Sequence, residues 1–317
     1  MSIPREVLRR VRRIELRTRG VVDALFGGEY QAVFKGQGIE FAEVREYRHG
    51  DDVRTIDWNV TARMARPYVK KHVEERELTL LLLVDVSGSE RFGTRRRFKA
   101  ELAAEIGAVL ALAATRNNDR VGLVLFTDRV EHVVPPKKGR RHVLRLIRDL
   151  LVYEPRGRGT ELAGAVNYAV RTLHQRAIVC VLSDFIAPTD EAPGPAGGDG
   201  GAGDAVPGVW ARWERALGAA ARRHDLVALE LADAVEHELP DVGLLALDDP
   251  ETGERVVVDT GRPALRRAYA AAARRERERV HRIFRRLEID AVPIRTDRSY
   301  IEPLRAFFRR RERRAGR

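Results

Sequence analysis

Five oxygen-bearing side chains in three separated stretches have the types and spacing to hold a hard divalent cation: Asp85, Ser87 and Ser89, then Thr160, then Asp184. The apolar run that begins at Leu78 stops at Asp85-Val86-Ser87-Gly88-Ser89, Thr160 follows Gly157-Arg158-Gly159, and Asp184 follows Ile178-Val179-Cys180-Val181-Leu182-Ser183. Carboxylate and hydroxyl oxygens without sulfur or imidazole suit Mg²⁺, and Mn²⁺ shares its liking for oxygen-rich octahedral sites. Mg²⁺ takes six oxygens at ~2.0 to 2.1 Å and keeps several waters, so a few such side chains suffice. Either strand-end segment alone is what caps a helix or shapes a turn. Three such stretches in one chain are a stronger signal.

These groups can meet only if the elements bearing them share an edge. From Leu78 the chain alternates apolar runs with amphipathic segments: a buried strand to Asp85, a helix through Phe98, Leu102, Ile106, Val109, Leu110 and Ala113, and a second buried strand from Val121 to Phe126. Strand, helix, strand implies a right-handed crossover and parallel pairing. Val130 to Val134 is expected as a short edge strand, followed by helices around Leu144 and Val166 and a third buried strand, Ala177 to Leu182. A helix bearing Trp210 and Trp213, a strand from Leu226 to Leu231, and a hairpin around Asp248 to Gly253 follow. The chain closes with a long helix from Pro263 to Leu287, a strand at Ala291 to Ile294 and a last helix with Leu304 and Phe307. The fold class is α/β, a doubly wound, mostly parallel Rossmann-like sheet. Ligands of such sheets sit at the carboxyl ends of the strands, where all three stretches end.

Two units are expected: residues 1–77, a basic helix and extended arm, and residues 78–317, the α/β domain, with a surface loop over 187–208 rich in Gly, Pro and Ala. The sole cysteine, Cys180, lies in an apolar run, so no disulfide framework is possible. No stretch reaches the ~20 apolar residues of a membrane span, and the basic N-terminus lacks a signal-peptide core. A cytoplasmic protein is expected. The net charge of +11 comes with interleaved Glu, as in Arg274-Arg275-Glu276-Arg277-Glu278-Arg279, the pattern of a solvated helix face.

The spacing Asp85-x-Ser87-x-Ser89 with Thr160 and Asp184 resembles the metal-ion-dependent adhesion site of von Willebrand factor A domains. That resemblance implies direct ligation by Ser87 and Ser89. Asp85, Thr160 and Asp184 would bind directly or through water, and a carboxylate from a partner protein would complete the sphere. It also implies that the last helix, around Leu304 and Phe307, shifts when the partner binds. The arm adds a second likeness. Gly38-Ile39-Glu40-Phe41-Ala42-Glu43-Val44-Arg45-Glu46-Tyr47, Gly50-Asp51-Asp52-Val53-Arg54-Thr55-Ile56-Asp57-Trp58 and Thr61-Ala62-Arg63 resemble the signature of the bacterial family called domain of unknown function 58. That family is similar to A domains and is usually paired with MoxR-type AAA+ ATPases. Glu90 departs from it, since many members carry a hydrophobic residue there. Arg45, Arg54, Asp57, Trp58 and Arg63 are expected to tie the arm to the main sheet by ion pairs and packing.

The function expected is a metal-dependent protein interaction module, with no enzymatic activity, acting as partner or adaptor of a MoxR-type ATPase. A Mg²⁺-dependent phosphohydrolase is the alternative, although His132, His142 and His174 lie outside the three stretches and no base is placed beside the ion. Nucleic-acid binding through the arginine-rich helix ranks third, since no stacking aromatics accompany it.

Overall fold

The computed structural model describes residues 11–16, 18, 21–22, 44–49, 51–64, 66–70, 78–91, 98–187, 208–248 and 255–315. The start of the arm signature through Glu43, Gly50, nearly all of the 187–208 loop and the hairpin tip at 249–254 lie outside them. Strands are β1 (Val44–Glu46), β2 (Tyr68–Lys70), β3 (Thr79–Asp85), β4 (Arg120–Phe126), β5 (Val130–Lys137), β6 (Ile178–Ser183), β7 (Asp225–Ala232), β8 (Leu244–Asp248), β9 (Arg255–Asp259) and β10 (Asp290–Arg295). Helices are α1 (Trp58–Met64), α2 (Lys99–Arg116), α3 (Arg140–Val152), α4 (Leu162–Thr172), α5 (Val209–Arg223), α6 (Pro263–Arg286) and α7 (Ile301–Ala315).

Six strands form the central sheet in the order β10-β7-β6-β3-β4-β5, parallel except for the edge strand β5, which runs antiparallel to β4. Strand β3 is buried on both faces because its side chains alternate between two cores. Leu80, Leu82 and Val84 join the core containing α2, α3 and α7, whereas Leu81 and Leu83 join the one containing α4, α5 and α6. This is the doubly wound arrangement, and it explains why the strand is a continuous apolar run rather than an alternating one. The Ala-rich helix α2 suits close packing over the sheet, burying Leu102, Ile106, Val109 and Leu110. It ends through Asn117 to Asn118, which takes the left-handed conformation at φ 59°, and Asp119 then accepts the amide of Leu78 at 3.2 Å. The entries to β3 and β4 are thereby aligned.

Helix α7 is fastened by arginines, chiefly Arg311, with Arg310 and Arg314 also reaching Asp290 at 3.4 and 3.3 Å. Arg311 donates to both oxygens of Asp225 at 2.6 Å and to Asp290 at 2.7 Å, linking α7 to the amino ends of β7 and β10. Its side chain is 12% exposed, so solvent screens the pairs only in part. Replacing Arg311 with Met should lower the unfolding free energy by about 2 kcal/mol, because Asp225 loses its bidentate pair and Asp290 keeps the longer pairs with Arg310 and Arg314. Urea denaturation reads this directly, and a loss below about 0.5 kcal/mol would contradict the clamp.

The arm differs from expectation. Among the described residues Arg45 makes a bidentate pair with Asp51 at 2.7 and 2.8 Å and Arg66 pairs with Glu46 at 2.9 Å, both within the arm, while Glu15 further upstream pairs with Arg140 of the main domain. Asp57 is buried and caps α1 by accepting the amides of Asn59 and Val60. Trp58 is 67% exposed instead of packing on the main sheet. Short antiparallel pairing of β1 with β2 completes this unit. Further upstream, Val11 and Val22 do join the main core.

Candidate metal centre

The sheet reverses its winding at β3, which has β4 on one side and β6 on the other, and the candidate groups gather at this switch point. Register sets the first contact. Val84 lies opposite Leu182, so the next residues, Asp85 and Ser183, meet, and the Ser183 hydroxyl donates to Asp85 Oδ2 at 2.8 Å. The other oxygen, Oδ1, accepts the amide of Ser87 at 2.9 Å, an Asx-type turn that halts the strand. The hydroxyls of Ser87 and Ser89 then sit 3.1 Å apart. Asp85 and Ser87 are fully enclosed.

Glu90 brings in Asp184. Its Oε1 accepts the amide of Asp184 at 3.1 Å, and its Oε2 is buried with no hydrogen-bond partner among the described residues. Carboxylate oxygens of Asp85, Glu90 and Asp184 lie within 4.8 Å of one another. On the far side of Asp184 the ammonium of Lys99 donates to Asp184 Oδ2 and to Glu236 Oε1, each at 2.6 Å. Asp184 Oδ1 accepts the amide of Ile186, and Glu236 Oε2 that of Asp233. Among the described residues, Asp184, Glu90 and Glu236 act on one ammonium and Asp85 adds a fourth carboxylate, in a space nearly closed to water.

The electrostatics follow from that imbalance. Burial pushes the Asp85 carboxyl up to about 7, the charge of Asp184 adds to this, and hydrogen bonds from Ser87 and Ser183 oppose it. Burial also carries Glu90 well above the usual carboxylate range, with Lys99 acting against it. Glu236 is raised by burial, again opposed by Lys99. For Lys99 burial works against the charged form, but Asp184, Glu90 and Glu236 outweigh it and hold the ammonium protonated. An uncompensated buried carboxylate is costly unless a proton or a cation joins it. The unpartnered Glu90 oxygen, the neighbouring Asp85 and the two serine hydroxyls offer the oxygen types that Mg²⁺ or Mn²⁺ takes, so the residues present fit such an ion.

Thr160 stands on an adjoining loop that is built separately. Glu131 organises it by accepting the amides of Arg156 at 3.2 Å and Gly157 at 2.7 Å, the Thr127 hydroxyl at 2.9 Å and the Tyr153 hydroxyl at 3.0 Å. Burial works against its charge, yet these four bonds prevail and keep its carboxyl below the usual glutamate range. The loop is tied to the Asp85 loop by Gly88 N donating to Arg158 O at 2.8 Å, and to the end of β4 by Glu161 N donating to Thr127 O at 2.8 Å. Thr160 itself is buried.

Of the five side chains picked from sequence, Asp85, Ser87, Ser89 and Asp184 thus belong to one connected cluster, and Thr160 lies on the loop bonded to it. Sequence reasoning missed Ser183, Glu90, Lys99 and Glu236. Glu90 carried a signal, being charged where a hydrophobic residue is usual. Lys99 carried a weaker one, since it shares the apolar face of α2 with Leu102 and Ile106 and is itself wholly buried. Glu236, 137 residues from Lys99, carried none.

Among the described residues no helix is long and apolar enough to cross a membrane. An uncharacterized protein of Mycobacterium tuberculosis is 32% identical over 307 residues, covering 96% of this chain and 89% of the relative. Two solved structures resemble the fold distantly. BatB, a conserved hypothetical protein of Bacteroides thetaiotaomicron, is 15% identical with a TM-score of 0.43, covering 75% of this chain and 98% of that one. An aerotolerance-related membrane protein of Bacteroides fragilis is 15% identical with a TM-score of 0.45, covering 75% and 99%. The model of a family described as "Protein of unknown function DUF58" matches residues 43–279, and with that extent of match the chain belongs to this family.

Proposed function

We propose that this protein is a Mg²⁺- or Mn²⁺-dependent protein interaction module, a cytoplasmic partner or adaptor of a MoxR-type AAA+ ATPase in remodelling or complex assembly. The observation that carries the metal dependence is the buried Glu90 oxygen without a partner, within 4.8 Å of oxygens from Asp85 and Asp184 and beside the Ser87 and Ser89 hydroxyls. The likeness to von Willebrand factor A domains supports a bridging role, and the arm signature supports the choice of ATPase. An ion held by few protein oxygens retains waters that an acidic side chain of a partner can replace. That exchange makes a charge-assisted contact in a site where water is scarce.

Binding to the ATPase should therefore require the ion. In titration calorimetry the double variant Ser87→Ala, Ser89→Ala should lose about tenfold or more in Mn²⁺ affinity and, in parallel, in affinity for the ATPase, and a chelator should abolish the complex. Unchanged affinity for both would end this reading. Turnover of a phosphomonoester by the Mg²⁺-loaded chain, lost in the same double variant, would replace it with the hydrolase.

A further inference from the structure

The cluster is larger than one ion needs, and its two halves are treated differently. On one side Asp85, Glu90, Ser87 and Ser89 include the oxygen that lacks a partner. On the other, Asp184 and Glu236 grip a side chain that reaches them from α2, with Lys99 Nζ at 2.6 Å from each. Asp184 is the shared wall. Its backbone amide bonds Glu90, and its Oδ2 bonds Lys99. In sites that hold two divalent ions, ions ~3.5 to 4 Å apart are bridged by shared oxygens. Here the position beyond the shared carboxylate already contains a positive charge.

We propose that the Lys99 ammonium is a tethered second cation, which occupies that position and limits the site to one divalent ion; the inference rests on the reading of the cluster as a divalent site. Lys99 suits the role physically. Its four-carbon stem crosses the apolar face of α2 and its side chain is fully buried, so the charge reaches the carboxylates without water. A single positive charge neutralises part of the excess, leaves Glu90 and Asp85 for the exchangeable ion and, with its side chain fully buried, stays out of reach of a partner's carboxylate. The consequence for function is a one-ion docking site rather than a two-ion hydrolytic centre. Lys99 is here a positioning residue, acting on the ion through Asp184.

Counting ions in the 317-residue chain tests this. Bound Mn²⁺ is read from the loss of the free-ion paramagnetic resonance signal and from calorimetric stoichiometry. The wild-type chain should bind one Mn²⁺, Lys99→Met should bind two, and Lys99→Met with Glu236→Gln should return to one. A wild type that binds one ion while folded Lys99→Met also binds one overturns the tethered-cation inference and leaves the metal site standing. A wild type that binds none overturns both. Should Lys99→Met be unfolded in metal-free buffer, millimolar Mn²⁺ should restore its near-ultraviolet circular dichroism with two ions bound per chain. Failure of Mn²⁺ to restore it overturns the inference as well.

Discussion

Above pH 7, where the Asp85 carboxyl is ionised, Asp85→Asn should raise the melting temperature of the metal-free protein while weakening Mn²⁺ binding by about 100-fold or more. The opposite signs follow from one cause. Asparagine keeps an oxygen for the amide of Ser87, and its amide nitrogen can donate to the Ser183 hydroxyl, which accepts as readily as it donates. The substitution thus preserves the shape of the strand end and removes a buried negative charge that lies among Glu90 and Asp184. Without metal that charge is a liability, and with metal it is a principal source of attraction. Thermal melts with and without Mn²⁺, together with calorimetric titration, measure both halves. A variant that melts lower without metal, or binds Mn²⁺ as tightly as the wild type, contradicts the account of Asp85.

The pH dependence has a definite sign. The Asp85 carboxyl moves from its ordinary 3.8 to about 7 in the folded, metal-free chain, so the native state holds this proton more tightly than the unfolded state does. Its stabilising contribution is complete below about pH 4, shrinks as pH rises, and is lost once pH passes 7. Glu90 is displaced in the same direction by burial. Metal-free wild type should therefore lose stability between about pH 4 and pH 7, and Asp85→Asn should lose less over the same interval, with Glu90 and Glu236 contributing in the same direction. Saturating Mn²⁺ should flatten or reverse the slope, because the ion binds the ionised carboxylates.

Gly157→Ala should cost about 3 kcal/mol of stability and disrupt the neighbouring loop without touching any proposed ligand. A β-carbon at this position would fall 2.0 Å from Asp128 Oδ1 and 2.2 Å from Thr127 Oγ1. Asp128 is half exposed and can swing away, but Thr127 is fully buried and bonded to Glu131. The loop must retreat instead, which strains the Gly157–Glu131 and Arg158–Gly88 bonds and displaces Thr160. Mn²⁺ affinity should fall by about tenfold if Thr160 takes part in holding the ion. A variant with wild-type urea stability contradicts the close approach; wild-type Mn²⁺ affinity in a destabilised variant removes Thr160 from the site.

Much of the architecture was legible because local pattern and long-range burial agree. The unbroken apolar run of β3 indicated a strand covered on both faces, and its alternate leucines do divide between two cores. Helical spacing from Leu102 to Ala113 located α2, and β5 proved antiparallel at the edge, as the short turn after β4 implied. The arm was misjudged in one respect. Charge alternation suggested that Arg45 ties the arm to the main sheet, whereas it pairs with Asp51 in its own turn, a partner that costs less chain entropy to reach than a distant sheet.

What the order of residues determined by itself is the set of strand-end oxygens. A buried strand that stops at Asp85-Val86-Ser87 and another that stops at Ser183-Asp184 must deliver those groups to one edge once the crossovers are right-handed. Only the tertiary structure decided which further groups would share that enclosure. Glu90, Lys99 and Glu236 come from a turn, a helix and a distant loop, and no local periodicity relates them. Their association is imposed by burial, which raises the cost of each lone charge until those brought within reach must compensate one another.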